Sequence, residues 1–421
     1  MRIFAPVKTA LLNIGDELLI GQVVNSNAAT MARLLTQAGM TVDEVCTVGD
    51  DADAIGTSLR RLLNNNDAVL MTGGLGPTKD DITKTVLCRF FQSDLIEDVA
   101  VYDNICRIFA SRGYPMSDTN RQQALVPRCC TVLNNLWGTA PGMWFETENH
   151  RVVVSLPGVP FEMELLMKQL VVPRLREYFH TGSILTKNIL IQGIGESFLS
   201  DRIESWELSL PDHIRLAYLP QAGMLKLRLT IRITPDNPDI PDIPELLHDL
   251  YALAGQYIVG EDCETLPELV AKTFTHAGVT LATAESCTGG LLAAQLTALP
   301  GASVYFRGGV VSYSNDAKEE LLGVRHATLD TYGAVSEATA REMAEGVRRR
   351  LDADYGVATT GIAGPGGGTP DKPVGTVWVA LASPHGTSAR LLHFGDRRQQ
   401  TIERTCNQVY SDLVRKLKSK N

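Results

Sequence analysis

The chain has 421 residues, 44% of them hydrophobic and 21% charged, a balance that excludes an intrinsically disordered protein. Its formal net charge of −9 gives the whole chain no electrostatic attraction for nucleic acid or for an anionic membrane. At about 150 residues per domain, the length predicts two or three domains.

The cysteines and the N-terminal segment both indicate a cytoplasmic protein. The eight cysteines form no CxxC pair and no zinc-binding spacing with histidine, so we expect reduced thiols. Lys8, Asn13 and Asp16 interrupt the apolar residues of the N-terminal segment, a pattern that fits neither a signal peptide nor a membrane span. We therefore expect a soluble protein of the cytoplasm that does not bind membranes.

Residues 1–178 alternate short apolar runs with amphipathic stretches. The apolar TALLNIG is followed by the helical NSNAATMARLLTQAGM, and the runs DAVLMTGG and RVVVSLPGVP come later. This βαβ rhythm predicts a parallel sheet with helices on both faces. Ligands of such sheets bind in the loops at the carboxyl ends of the strands.

A glycine-rich turn follows the apolar run DAVLM. Gly73, Gly74 and Gly76 let the backbone turn sharply and point N–H groups at an anion. Asp80 and Asp81 open the next predicted helix, and a phosphate beside them would need a cation between it and the carboxylates. The turn therefore predicts a divalent metal that bridges a phosphorylated ligand. The same residues also fit a tight turn with two helix-capping aspartates.

Residues 179–262 predict a small α+β module. The helical FLSDRIESWEL precedes an alternating strand pair, and a helix and the strand QYIVG close the module. Proline recurs at every third position within 235–245, which favours an extended, polyproline-like connector. The four prolines are Pro235, Pro238, Pro241 and Pro244.

The βα rhythm resumes over residues 263–421, and the strand VTLATAE ends beside a serine. Ser286 stands at the start of a helix with Thr288, Gly289 and Gly290, where free N–H groups and the positive dipole end would stabilise an oxyanion. Lys318 follows one predicted strand later, and adjacent parallel strands would bring it to Ser286. A lysine whose charge is suppressed by burial can act as the base for a serine nucleophile.

The residues alone leave two other interpretations of this stretch open. Without a catalytic role, Ser286 would be a helix N-cap and Lys318 a solvated helix lysine. Cys287 would be the nucleophile if the helix N-terminus lowers the pKa of its thiol. Neither His326 nor His393 lies in a context that would activate that thiol.

The motifs GDELLIGQVVNSNA, TGGLGPTKDDIT and LPGVPFEM together resemble the MoaB/MogA-like molybdopterin-binding domain that opens proteins of the CinA family. The resemblance covers nearly all of residues 1–178. It implies either a molybdopterin-like ligand site or metal-dependent hydrolysis of the ADP-ribose pyrophosphate. The family pattern matches at Glu17, Asn27, Gly73, Gly74, Gly76, Pro77, Thr78, Asp80, Asp81 and Thr83.

The middle module, which has GIGES after its first strand, resembles the KH-like domain between the two catalytic parts of CinA proteins. An RNA-binding KH fold clamps the nucleic-acid backbone with a GxxG loop, and GIGES is a GxG sequence. We therefore expect a spacer or dimer-forming module that does not bind nucleic acid.

Five C-terminal motifs resemble, in order and spacing, the nicotinamide mononucleotide amidohydrolase (PncC-like) domain that ends CinA proteins. They are AESCTGG, SYSNDAK, TTGIAGPGGG, KPVGTVWVAL and FGDR. The resemblance implies that Ser286 is the nucleophile, Lys318 its base and Tyr313 a helper in the proton path.

The same resemblance places Thr360, Gly361 and Arg397 at ligand-contacting positions, alongside Thr288 and the glycines that follow it. A guanidinium beside a glycine-rich turn suits the phosphate of a mononucleotide. The implied ligand of this domain is therefore nicotinamide mononucleotide.

These observations predict an α/β protein, with two α/β domains of mostly parallel sheets joined by a small α+β KH-like module. We expect the C-terminal domain to release ammonia from nicotinamide mononucleotide without a cofactor. We expect the N-terminal domain to be a metal-dependent ADP-ribose pyrophosphatase, because the C-terminal domain also handles a pyridine-nucleotide fragment. We also expect a homodimer. The alternatives are a non-catalytic nucleotide- or molybdopterin-binding regulator linked to competence or DNA damage, and adenylyl transfer to the molybdenum cofactor.

Overall fold

The computed structural model of the protein describes residues 7–78, 80–181, 183–233 and 241–418. The chain divides into two compact units, formed by the described residues of Met1–Leu185 with Ile231–Ile240 and of Thr186–Thr230 with Pro241–Asn421. The polyproline-like connector predicted for 235–245 lies, up to position 240, outside the described residues. The domain boundaries after residues 178 and 262 stay predictions.

The first part of the chain is an alternation of strands and helices, with a π-helical turn at Met167–Val171. Its strands are β1 Lys8–Ile14, β2 Thr41–Val48, β3 Ala68–Thr72, β4 Leu95–Glu97, β5 Leu125–Pro127, β6 Thr131–Leu133, β7 Gly142–Glu146 and β8 Val152–Leu156. Its helices are α1 Asp16–Leu19, α2 Ser26–Gln37, α3 Ala52–Asn65, α4 Thr83–Phe90, α5 Val99–Ser111, α6 Asp118–Gln122, α7 Pro160–Leu166 and α8 Val172–Phe179.

Local sequence explains where these helices form. The carboxylate of Asp51 caps α3 by accepting a hydrogen bond from the N–H of Ala54 at 2.8 Å. Ile55, Leu59 and Leu62 recur at helical spacing in α3 and are fully buried, so one face of the helix packs on the sheet.

The main sheet of this part has six strands in the order β2-β1-β3-β8-β7-β6. The first four strands are parallel, whereas β7 and β6 join in antiparallel fashion. Strands β3 and β8 are buried along their whole length because helices cover both faces of the sheet. The carboxyl ends of β1, β2 and β3 therefore lie at one edge.

The middle of the chain forms a four-stranded sheet in the order β10-β11-β9-β12. Its elements are β9 Ser183–Ile191, α9 Glu196–Leu208, β10 Ile214–Gln221, β11 Met224–Ile233, α10 Ile243–Ala254 and β12 Ile258–Glu261. Helices α9 and α10 each bury an apolar face, including Leu199 and Ile203 of α9 and Leu247 and Leu250 of α10.

The last part of the chain contains a five-stranded sheet in the order β14-β13-β15-β16-β17. Its strands are β13 Leu281–Glu285, β14 Phe306–Val311, β15 Tyr355–Gly361, β16 Thr376–Ser383 and β17 Gly386–His393. Its helices are α11 Leu266–Ala277, α12 Leu291–Thr297, α13 Asn315–Leu322, α14 His326–Tyr332, α15 Glu337–Arg350 and α16 Arg398–Lys418.

Strand β13 lies at the centre of this sheet and runs parallel to both β14 and β15. Strands β16 and β17 extend the sheet as an antiparallel hairpin. Successive residues of β13 point to opposite faces. Leu281 belongs to the core shared with α11 and α16, whereas Ala282 and Ala284 belong to the core shared with α15.

The predicted fold class, α/β with mostly parallel sheets, is confirmed. Within the described ranges, none of the helices combines the length and the apolar character needed to cross a membrane.

Candidate active site

The predicted nucleophile lies where the three parallel strands of the C-terminal sheet end. Glu285, the last residue of β13, is in register with Val311 of β14 and Thr359 of β15. The N–H of Ser286 donates to the carbonyl of Thr359 at 3.0 Å, and the N–H of Ser312 donates to that of Glu285 at 2.8 Å. The strand register therefore brings Ser286 and the segment that leads to α13 together.

Lys318 reaches Ser286 from the first turn of α13. Its Nζ lies 3.2 Å from the Oγ of Ser286, and it donates to the carbonyl oxygens of Ser312 at 2.8 Å and Ser314 at 3.4 Å. Lys318 is 1% exposed. Burial lowers the pKa of its ammonium below the ordinary value, and the neighbouring Cys287 opposes this shift. The geometry thus pairs a hydroxyl with an amine whose charge is disfavoured.

The carboxylate of Glu285 occupies the N-terminus of α12. It accepts hydrogen bonds from the N–H groups of Gly290 and Leu292 at 3.0 Å each and of Ala293 at 2.8 Å. These are the donors that a helix start leaves without a partner in the helix itself. Glu285 therefore neutralises the end of α12 that the sequence predicted to face the substrate.

The N–H groups left for an oxyanion are accordingly those nearest the serine. Gly289 donates its N–H to the carbonyl of Ser286 at 3.2 Å, and the N–H of Gly290 is taken by the carboxylate described above. In the described structure, no other residue accepts a hydrogen bond from the N–H of Cys287 or Thr288. Of these two residues, Cys287 is the one that lines the cleft beside Ser286, so its N–H can serve an oxyanion without breaking an existing bond.

Cys287, the alternative nucleophile, is in an unfavourable environment for a thiolate. The side chain is buried, and burial raises the pKa of its thiol to about 12. The neighbouring Thr288 uses its hydroxyl in a buried 2.7 Å hydrogen bond with that of Thr359. The thiol therefore stays protonated near neutral pH, which favours Ser286 as the nucleophile.

Ser286 and Lys318 open into a cleft of about 210 Å³. Its lining contains Ser286, Cys287, Tyr313, Asn315, Lys318, Ala334, Val335, Thr360, Gly361, Ala363 and Arg398. Thr360 uses its hydroxyl to donate to the carbonyl of Ala334 at 2.7 Å. A Cβ at Gly361 would approach the carbonyl oxygen of Thr376 to 2.7 Å, so the backbone here requires glycine.

Five predicted residues take positions that differ from their expected roles: Tyr313 and Arg397, and also Thr288, Gly289 and Gly290, which are outside the cleft lining. Tyr313 lines the cleft, but its hydroxyl accepts a hydrogen bond from Nη2 of Arg398 at 3.1 Å and bonds to neither Ser286 nor Lys318. Arg397 is exposed and does not line the cleft. The adjacent Arg398 does line it.

The predicted N-terminal residues also converge on one cleft, of about 340 Å³, at the ends of β1 and β3. Those that line it are Glu17, Asn27, Gly73, Gly74, Thr78, Asp80 and Asp81. Gly76 is outside this lining. Its N–H donates to the carboxylate of the lining residue Asp81 at 2.7 Å and so helps to orient that side chain.

Asp81 holds the glycine-rich turn in place. Besides Gly76, it accepts hydrogen bonds from the N–H of Thr78 at 2.8 Å and the hydroxyl of Thr78 at 2.5 Å. A carboxylate has about four lone-pair sites, so one remains for another partner. The carboxylate of Asp80 has no hydrogen-bond or ion-pair partner among the described residues. Asp80 can therefore offer a cation both of its oxygens, whereas Asp81 can offer one lone-pair site.

The fit of this cleft to a divalent cation can be judged from its oxygen atoms. The described residues contain no cluster of three or more histidine, cysteine, aspartate or glutamate side chains that could hold a metal ion. The side-chain oxygens of Asn13 and Asn27 are buried in the cleft and have no hydrogen-bond partner among the residues that the structure describes. These amide oxygens, together with Asp80 and Asp81, fit a hard cation that keeps several bound waters and is also coordinated by the phosphates of a ligand. They do not fit a cation coordinated by protein atoms alone.

The residues of the two sites that were not predicted from the sequence include Asn13, Asp50, Glu285 and Arg398. Asp50 follows β2 at the same sheet edge as the glycine-rich turn. Its position after a predicted strand could therefore have identified it from the sequence as a site residue. Burial raises the pKa of Asp50, and the negative charges of Asp16 and Glu17 add to that shift. No sequence signal distinguishes Arg398 from its neighbour Arg397.

The chain matches two known families in regions that contain these clefts. Residues 263–417 match the family described as "CinA C-terminal domain", and residues 10–177 match the one described as "Probable molybdopterin binding domain". A solved structure, described as the competence/damage inducible protein CihA from Agrobacterium tumefaciens, is 42% identical and covers 36% of this chain and 93% of its own, with a TM-score of 0.35.

Relatives of the whole chain carry the same family name. A CinA-like protein of Flavobacterium psychrophilum is 40% identical over 415 residues, which are 97% of this chain and 99% of the relative. A CinA-like protein of Cytophaga hutchinsonii is 41% identical over 408 residues, 97% of each chain. With both clefts inside the matched regions and the likeness extending over nearly the whole length, the chain belongs to the CinA family.

Proposed function

We propose that the C-terminal domain is an amidohydrolase that converts nicotinamide mononucleotide and water to nicotinate mononucleotide and ammonia. The observation that carries the proposal is the 3.2 Å contact between Nζ of the buried Lys318 and Oγ of Ser286. Serine–lysine pairs of this kind activate a hydroxyl for attack on a carbonyl carbon. A non-catalytic regulator would have no need to bury an amine against a serine.

The hydrogen bonds of Lys318 explain how it acts as a base. A neutral amine has two N–H bonds and one lone pair. Two N–H groups are directed at the carbonyl oxygens of Ser312 and Ser314, which leaves the lone pair for the hydroxyl proton of Ser286. Burial favours this neutral form, so the amine accepts the proton as Oγ attacks the carboxamide carbon.

The remaining steps use the same groups. The carboxamide oxygen becomes an oxyanion, which the N–H group of Cys287 stabilises. The lysine ammonium returns its proton to the leaving nitrogen, so ammonia departs and an ester to Ser286 remains. Water then attacks the ester carbon while the amine accepts a proton from it. The ammonium returns that proton to Oγ of Ser286 as the ester bond breaks, which releases the acid and restores both the serine and the neutral amine.

Ammonia release tests this proposal directly. The full-length protein is offered nicotinamide mononucleotide, and ammonia is followed by a coupled assay. We expect turnover in the wild type and its loss in Ser286→Ala. Absence of ammonia with the wild-type protein, or full activity in Ser286→Ala, would refute it.

For the N-terminal domain we propose a second activity, hydrolysis of the pyrophosphate of ADP-ribose. The cleft at the ends of β1 and β3 supports it, since it combines a glycine-rich turn suited to phosphate with unpartnered carbonyl and carboxylate oxygens. A divalent cation held by Asp80 and Asp81 would supply charge neutralisation for the phosphates. The protein itself would contribute the backbone N–H of Gly74, because those of Gly73 and Gly76 already donate to the carbonyl of Leu156 and the carboxylate of Asp81.

Chelation separates the two activities. We expect ADP-ribose hydrolysis to require an added divalent cation and to disappear in the double variant Asp80→Asn, Asp81→Asn. Ammonia release should persist in both conditions. ADP-ribose hydrolysis that survives full chelation would contradict the metal requirement.

A further inference from the structure

Arg398 is a cation fixed at the mouth of the amidase cleft. Its Nη1 donates to the carbonyl oxygen of Gly364 at 2.9 Å, and its Nη2 donates to the hydroxyl of Tyr313 at 3.1 Å. A guanidinium carries five N–H donors, so these two bonds orient the group and leave donors for a ligand. Arg398 is also the first residue of α16, where the helix dipole favours a negative charge.

The charge of the cleft lining favours an anion at this position. No aspartate or glutamate is among the described residues that line the cleft. The lining contains two basic side chains, and Lys318 lies at the buried end with its charge disfavoured. Arg398 therefore supplies the lasting positive charge, and arginine pairs with phosphate through parallel N–H bonds.

The size of the cleft determines which end of a substrate meets Arg398. A volume of about 210 Å³ is below the roughly 300–1,000 Å³ of pockets that enclose a drug-sized ligand. Ser286 is 8% exposed, whereas Tyr313 is 63% exposed, so the serine marks the inner end and the tyrosine the mouth. A carboxamide that reaches Ser286 therefore leaves the rest of its molecule beside Tyr313 and Arg398.

We infer that Arg398 binds the anionic group of the substrate and that Tyr313 acts through Arg398, as a positioning residue. This inference rests on the proposed amidase. It differs from what the family resemblance implies, which is a ligand contact by Arg397 and a proton-transfer role for Tyr313. The substrate class that follows is a carboxamide joined to a phosphate, preferred over the same compound without phosphate.

Kinetics with two substrates test the assignment. KM and kcat are measured for nicotinamide mononucleotide and nicotinamide riboside with the wild type and with Arg398→Ala, Arg398→Lys, Arg397→Ala and Tyr313→Phe. Arg349→Ala, which removes an exposed arginine in the last turn of α15, is the matched control and should be unchanged. Arg398→Ala should raise KM for the mononucleotide about 10- to 100-fold, the range for a lost bond to a charged group, and leave the riboside within about twofold.

The other variants separate positioning from catalysis. Tyr313→Phe should raise KM for the mononucleotide, with kcat and the pH profile unchanged, and Arg398→Lys should recover part of the lost affinity. Equal effects of Arg398→Ala on both substrates would overturn the anion role, as would a phosphate-dependent effect confined to Arg397→Ala. A fall in kcat with both substrates in Tyr313→Phe would contradict the positioning role and support a role of Tyr313 in proton transfer.

Calorimetric titration keeps this test separate from the proposed reaction. Binding of nicotinate mononucleotide and of nicotinate riboside is measured with the wild type and Arg398→Ala. If the wild type releases no ammonia, the amidase proposal fails, and the titration still decides the inference. A phosphate-dependent loss of affinity in Arg398→Ala supports it, and equal affinities of wild type and variant for the mononucleotide contradict it.

Discussion

Replacing Lys318 with methionine is the sharpest test of the catalytic pair. Methionine keeps an unbranched apolar stem and removes the amine, so Ser286 keeps its place at the end of β13 but loses its base. The carbonyl oxygens of Ser312 and Ser314 each lose a donor at the same time. Because a serine hydroxyl is a weak nucleophile without a base, the chemical step should slow.

The expected loss is large and does not add to that of the serine. Loss of either member of such a pair costs about a thousandfold or more in kcat, which leaves only binding and oxyanion stabilisation. Lys318→Met should therefore resemble Ser286→Ala. The double variant should be little worse than either single variant, because the residual route uses neither group.

The pH dependence follows from the direction of the Lys318 pKa shift. Burial lowers that pKa below 10.5, so the active neutral form is populated from a lower pH than in an exposed lysine. In the wild type, kcat should rise with pH to a plateau. Below the folded-state pKa the buried charge destabilises the fold, and this cost disappears as pH rises to the unfolded-state value. Lys318→Met should therefore gain stability relative to wild type at neutral pH and lose that gain toward alkaline pH.

Ammonia release and thermal unfolding are both followed over the same series of pH values, from neutral pH up to the ordinary lysine pKa of 10.5. Circular dichroism confirms that the variants are folded. A Lys318→Met protein that keeps more than about a tenth of wild-type kcat would refute the base assignment, because a tenfold loss is only about 1.4 kcal/mol.

Three further changes test other parts of the two sites. Cys287→Ala should keep most amidase activity, and an inactive Cys287→Ala beside an active Ser286→Ala would require a thiol mechanism. Asp81→Asn should lower the stability of the N-terminal unit by about 1–3 kcal/mol in thermal or denaturant unfolding, because the glycine-rich turn loses bonds to a charged acceptor, whereas Asp80→Asn should leave stability unchanged. Glu285→Gln should destabilise the protein by a similar amount and lower kcat, since α12 would lose the carboxylate that positions Ser286; unchanged stability and kcat would show that the cap is dispensable.

Much of the fold could be predicted from the sequence because the βα alternation is a local signal. Apolar runs of strand length, separated by amphipathic helices, indicated parallel strands, and parallel strands align their carboxyl ends at one edge. That rule was enough to bring Ser286 and Lys318 together, as the register of Glu285 with Val311 shows. The antiparallel hairpin of β16 and β17 was not separately predicted, since strand direction depends on pairing rather than on composition.

The details of the clefts were less accessible, because they depend on side-chain direction. Arg397 and Arg398 are chemically identical and adjacent, and the start of α16 determines which of them faces the cleft. Asp81 was predicted as a metal ligand from its position beside a glycine-rich turn suited to phosphate, whereas the structure shows its oxygens accepting three bonds from that turn. Its metal role stays a prediction, with one lone-pair site available for it.

Burial and the carboxylate of Glu285 together explain why serine rather than cysteine fits the nucleophile position. A thiol at a helix N-terminus gains acidity when it faces unpaired N–H groups and the positive dipole end. At α12 those groups are taken by a buried carboxylate one residue before Ser286, and the negative charge of Glu285 adds to burial in raising the pKa of the Cys287 thiol. A serine does not depend on prior ionisation, because Lys318 removes its proton as the bond forms. Burial of Cys287, with a smaller contribution from the charge of Glu285, therefore keeps the neighbouring thiol protonated and unable to compete for the substrate.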